Sequence, residues 1–187
     1  KVVRSGDVMD PSGRCRLTAW CDFDPSPGDI LRIEDARVTF WQGSPDLVID
    51  NSDQVEIISD SPWEKIDPEN HWLEVDLTEL VGGGSRRGVS TSGKIVMIRP
   101  DSGIIERCPE CRRVLRDGSC SEHGSQIGEE DLRLRFVLDN GVSNASLILG
   151  REAAESFLEI SMGGVKDEVS NSGKEVFVSD LKNRVLA

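Results

Sequence analysis

The chain has 187 residues and a formal net charge of −12, with 34 acidic against 22 basic residues. That length allows one large or two small domains, each with a real core, and the charge excludes uniform attraction to nucleic acid, so any polyanion contact must sit on a local basic track. No run approaches the roughly 18 apolar residues of a membrane span and no secretory signal is visible; the expectation is a soluble intracellular protein, and the start at Lys1 fits an excised fragment.

Residues 1–60 read as β structure. In "GRCRLTAWCDF", Cys15, Leu17 and Ala19 alternate with Arg14, Arg16, Thr18 and Trp20, the period of a half-buried strand. "DPSPG" breaks the pattern. "DILRIEDARVTFW" follows as one long strand or a pair, with Val38 and Phe40 on one face and Arg37, Thr39 and Trp41 on the other. "QGSPD" reads as a turn, and "LVID" and "QVEIIS" as short strands. Frequent turns between short strands suggest a small barrel or sandwich. Residues 61–93 are polar and then glycine- and serine-rich ("VGGGSRRGVSTSG"), which predicts a flexible connector against which Trp63 and Trp72 pack.

Residues 94–187 return to β periodicity. "KIVMIR" is a strand, and "DLRLRFVLDNGVSNASLIL" reads as two strands joined by an Asn-Gly turn. "GREAAESFLEISM" has helical spacing of Ala153, Ala154, Phe157, Leu158 and Met162. "KEVFVSDL" reads as a last strand. The fold class expected is all-β: two barrels, 1–60 and 94–187, the second carrying a short helix and, at 106–124, a metal-binding insert.

That insert is "ERCPECRRVLRDGSCSEHG". Cys108 and Cys111 are separated by two residues, as are Cys120 and His123. Two such pairs can close a tetrahedron, and thiolate with imidazole favours one structural zinc. Four protein ligands leave no open position for a reacting water, and the H-x-E with P-C-x-x-C pattern of zinc deaminases is absent, so catalysis is not expected. The remaining cysteines, Cys15 and Cys21, lie about 20 Å apart on an extended strand and cannot pair there.

Charge is unevenly spread. Between Gly82 and Arg116 stand eight basic residues against three acids, among them Arg86, Arg87, Arg112 and Arg113. Trp20 and Trp41 share strand faces with Arg16 and Arg37. An indole beside a guanidinium suits a platform on which an unpaired base stacks while the arginine meets its phosphate; packing against a barrel rim or the connector is the alternative for both indoles.

"GRCRLTAW…GDILRIEDARV…W" resembles the OB-fold barrel of replication protein A, and "SGIIERCPECRRVLRDGSCSEHG" resembles the zinc ribbon that this family carries in the C-terminal barrel of its large subunit. "GGSRRG" resembles archaeal members. The resemblance implies tandem OB-folds that bind single-stranded DNA in replication, repair and recombination, without enzymatic activity and with little sequence preference. It implies stacking by Trp20 and Trp41, zinc on Cys108, Cys111, Cys120 and His123, and other replication protein A subunits or replication and repair proteins as partners. Its location would be cytoplasmic, beside the nucleoid in an archaeon. Many members have a cysteine where this chain has His123. The first barrel starts late and the second stops early for five strands each. A zinc-ribbon scaffold for partner proteins is the rival expectation.

Overall fold

The computed structural model describes residues 4–41 and 43–186. The chain forms two compact units, 1–92 and 93–187, and strand outweighs helix, 39% to 22%. The predominance of strands agrees with the all-β class expected, and neither unit closes into a barrel among the described residues.

The first unit is built on β1 (Arg4–Asp10) and β2 (Gly13–Ala19), an antiparallel hairpin. Its turn is held by Asp10, whose carboxylate accepts from the Ser12 amide at 2.8 Å and the Ser12 hydroxyl at 2.6 Å. The next segment does not run as one strand. β3 (Ile30–Ile33) and β4 (Arg37–Trp41) are separated at Asp35, whose φ of 53° lies in the left-handed region. Asp35 tolerates that conformation better than most residues, and the Gln54 side-chain amide holds its carbonyl at 2.6 Å.

The bend sends the two halves to different partners. β3 pairs with β6 (Val55–Ile58), while β4 pairs with β5 (Ser44–Ile49). β5 also lies parallel to β2, giving the order β1-β2-β5-β4. The expected turn at 42–46 begins at Gln42, outside the described residues, and Ser44 is already strand. Leu17, Ala19 and Ile49 are buried, with Val8, Leu31, Ile33 and Leu47 packed around them. Burial pushes the half-buried Cys15 thiol upward, with nearby Asp10 adding to the shift.

Residues 61–92, expected as a connector, belong to this first unit. β7 (Leu73–Glu74) runs parallel to β8 (Val89–Ser90), and α1 (Leu77–Gly82) lies between them with Leu77 buried. Asp76 caps α1 by accepting from the Thr78 amide at 2.8 Å. Arg14 ties the segment down: it donates to the Pro68 carbonyl, and its guanidinium stands 6.0 Å from the Trp72 ring centroid.

The second unit centres on one long strand, β13 (Glu129–Asp139). β9 (Lys94–Ile98) and β10 (Gly103–Arg107) both run antiparallel to it, β10 along its first half and β9 along its last residues. β14 (Asn144–Leu149) is also antiparallel to it. The Asn-Gly cue marks the β13–β14 connection, which spans residues 140–143; Gly141 takes φ 89°. Between β10 and β13 sit the minimal strands β11 (Ser119–Cys120) and β12 (Gly124–Ser125).

Three helices follow where one was expected: α2 (Arg151–Leu158), α3 (Met162–Ser172) and α4 (Lys174–Val185). α4 replaces the last strand expected from "KEVFVSDL". Phe177, Val178 and Leu181 recur at helical spacing and are buried, while Val176 is exposed, so packing on one stripe overrides the β propensity of Val-Phe-Val. With Ala154 and Val165 they cover Leu132, Leu134 and Phe136, which project from one face of β13.

Candidate metal centre and basic faces

The four predicted ligands converge. Cys108, Cys111, Cys120 and His123 offer ligand atoms that all lie within 4.8 Å of one another and could hold one metal ion. Cys108 Sγ is 3.5 Å from His123 Nδ1, Cys111 Sγ is 3.6 Å from Cys120 Sγ, and Cys120 Sγ is 3.7 Å from His123 Nδ1. A tetrahedral zinc with bonds of about 2.3 Å to sulfur and 2.0–2.1 Å to nitrogen has edges of roughly 3.5–3.8 Å. These three separations match the edges of such a site, and the chemistry of the four donors suits one such ion.

Two turns of like design present the ligands. After Cys111, Arg112 takes φ 62°, and after His123, Gly124 takes φ 66°. The Arg112 amide donates to the Cys108 carbonyl at 2.9 Å. The hairpin between the turns passes through Asp117 and Gly118, with φ 50° and 69°. Backbone amides of Glu122 and His123 direct hydrogen bonds at Cys120, whose thiol is drawn down to about 6, toward the thiolate a metal needs. Arg112 fills a position that glycine would fill with less strain. Arg112→Gly is expected to stabilise the second unit by about 0.5–1 kcal/mol, the left-handed penalty less the extra chain entropy of glycine. Its exposed ion pair with Glu129 offsets little. Urea denaturation of the metal-loaded protein reads the change, and destabilisation would refute this account.

Arg107, the residue before the first ligand, anchors the insert. Its guanidinium donates to the Arg112 carbonyl at 3.0 Å and to Asp131, which also accepts from Arg151 at 2.8 Å. Asp131 is 6% exposed. Burial alone would raise its carboxyl; Arg107 and Arg151 outweigh that and hold it below the ordinary range.

The expected nucleic-acid contacts fall in both units. In the first, cross-strand register places Asp7 opposite Arg16, Arg16 beside Asp46, and Asp46 opposite Thr39. Arg16, Arg37 and Trp41 thus share one sheet face. Trp41 is 74% exposed. Trp20 follows β2 directly, its amide donating to the Ile49 carbonyl at 2.8 Å, and is 39% exposed. Register sets the two indoles six residues apart along the strands, about 20 Å. Three of the expected arginines of this unit are matched by acids: Arg37 pairs with Asp50 at 3.2 Å, Arg86 with Glu79 at 2.7 Å and Arg87 with Asp7 at 3.3 Å. In the second unit Arg112 pairs with Glu129 and Arg113 with Glu122.

No protein-family model and no curated protein matches the chain.

Arg133 and Arg135 are basic residues outside the expected contacts. They alternate with the buried Leu132, Leu134 and Phe136 and so project from the opposite face of β13. The "RLR" alternation was the available signal; the Asp131 triad left none, because its members come from three separated elements.

Among the described residues, no helix is long and apolar enough to cross a membrane.

Proposed function

We propose that the chain is a single-stranded-DNA-binding protein of the replication protein A type, with two OB-related β units and one structural zinc in the ribbon of the second. The observation that carries the reading is the first unit's sheet face, where exposed Trp41 stands with Arg16 and Arg37 and exposed Trp20 lies at the end of β2. Bases stack on indoles whatever their identity, so binding has little sequence preference. The crossover that sets β5 parallel to β2 gives an open, mixed sheet, which is compatible with a partly open barrel. The zinc site has four protein ligands and serves folding rather than catalysis.

Oligo-dT binding followed by Trp fluorescence over a salt series tests the reading. Affinity falls with rising salt, and Trp41→Ala and Trp20→Ala each weaken binding by about 1–3 kcal/mol. A folded, metal-loaded protein that binds no oligo-dT at low salt would overturn the reading. One observation favours a second one: the arginines expected to follow the backbone are mostly paired with carboxylates. A charge-balanced surface suits a scaffold that binds proteins through the ribbon, and failure to bind DNA selects it.

A further inference from the structure

The second unit holds a guanidinium pair outside the residues discussed as DNA contacts. β9 turns into β10 through Arg99-Pro100-Asp101-Ser102, closed by the Ser102 amide donating to the Arg99 carbonyl at 3.0 Å. Proline suits the second position of such a turn. The turn is pinned to β13 at one residue. The Arg99 amide donates to the Arg135 carbonyl at 2.8 Å, the fully buried Ser102 hydroxyl donates to the same carbonyl at 3.1 Å, and the Arg135 amide donates to the Ser102 hydroxyl at 2.9 Å. Asp101 is thereby held over the side chains of Arg133 and Arg135.

One oxygen, Asp101 Oδ2, accepts from both guanidinium groups, at 2.9 Å from Arg133 and 2.6 Å from Arg135. Each guanidinium offers five donors in a fixed fork. The Nε–H of Arg133 and the Nε–H of Arg135 are buried with no acceptor among the described residues, an arrangement that calls for an explanation. Asp101 itself is half-exposed, its side chain at 46% against 17% for Arg133. Arg99 is exposed in the same turn, and Arg107, further along the same face, is committed to Asp131. Exposed Met97 and Ile148 border this face of the sheet, since Met97 pairs with Val137 and Ile148 with Arg135.

We infer that Arg133 and Arg135 form a phosphodiester-binding site of the second unit on which Asp101 is a resident carboxylate, competing with the phosphate for the guanidinium pair. The inference rests on the DNA-binding reading above. Planar, forked donors suit a phosphate as they suit a carboxylate. A phosphate that displaces a half-exposed carboxylate gains less than one meeting free arginines, so the aspartate sets affinity and its salt dependence. A purely structural ion pair makes the opposite prediction for loss of Asp101, which then weakens the protein and gains nothing for DNA.

The test is oligo-dT titration across a salt series with four metal-loaded proteins: the parent, Asp101→Asn, the double variant Arg133→Gln with Arg135→Gln, and Arg184→Gln as a charge control on the helical layer. Melting and zinc content are recorded for each. Asp101→Asn should bind about 5–10-fold more tightly at low salt, with a salt slope steeper by roughly 0.7 for one added single-strand phosphate. The double variant should bind at least about 10-fold more weakly, with the slope reduced by a similar amount. Arg184→Gln should match the parent. Unchanged or weaker binding by folded Asp101→Asn overturns the inference, even if the double variant fails to fold. If the parent binds DNA and Asp101→Asn does not bind more tightly, only this inference fails. If the parent binds no DNA, the function proposed above fails with it.

Discussion

Cys111→Ser is expected to bring bound zinc below one ion per chain and to unfold the insert between β10 and β13. The physical reason is how little else holds that segment. Its buried cluster consists of Cys108, Leu115 and Cys120, with Cys111 packed against it; apart from the ligands, Leu115 is its sole apolar member. Full burial of one leucine is worth about 1.5–3 kcal/mol, whereas a structural zinc in a small domain contributes on the order of 10–16 kcal/mol at neutral pH. Metal binding is therefore expected to decide whether the segment folds. Metal analysis together with amide hydrogen exchange over 106–128 reads both effects. A chelator added to the parent should produce the same loss of protection. Full zinc stoichiometry in Cys111→Ser, or protection that survives chelation, would show that the cluster is not the metal centre.

Asp131→Asn should cost the second unit about 3 kcal/mol at neutral pH. Asp131 is buried between Arg107 of β10 and Arg151 of α2, so removing its charge leaves two guanidinium groups facing a neutral amide. Breaking a buried pair from one side costs about 3–5 kcal/mol, and the partial exposure of Arg151 places this case at the lower end. The carboxyl is held below its usual value in the folded protein. The unfolded chain therefore takes up the proton first. The contribution is complete above the ordinary aspartate range near 3.9 and fades as pH falls through the lower folded value. The gap between parent and variant in urea denaturation should accordingly be widest at pH 7 and shrink below about pH 4. The thiolates of the cluster also take up protons on acidification, but they do so alike in both proteins, so metal-loaded samples are compared and only the difference between parent and variant is read. A gap under about 1 kcal/mol at pH 7 would mean that Asp131 does not hold β10 and α2 together.

The two variants probe adjoining parts of one assembly. Arg107 joins them: it precedes the first ligand, holds the Arg112 carbonyl within the first ligand turn and reaches Asp131 on the central strand. The insert is thus attached to the sheet by polar contacts as well as by the β10–β13 ladder.

What the sequence determined by itself is local. The ligand spacing needs only two tight turns; Gly124 supplies the left-handed residue after His123 by its own freedom, whereas Arg112 takes that conformation after Cys111 against its local preference. The Asn-Gly connection and the first helix of the second unit are likewise set by neighbours a few residues away. Tertiary structure decided the rest. Asp35 could end a strand or lie within one; pairing of β3 with β6 and β4 with β5 settles it. "KEVFVSDL" has the composition of a strand and becomes a helix because its apolar stripe finds Leu132, Leu134 and Phe136 to cover. Most of all, the basic track could not be read from charge counts. Arg87 meets Asp7, 80 residues away, and Arg135 meets Asp101, 34 residues away. A guanidinium is open to a phosphate or committed to a carboxylate according to which strands lie side by side, and that is fixed by register and packing over the whole unit.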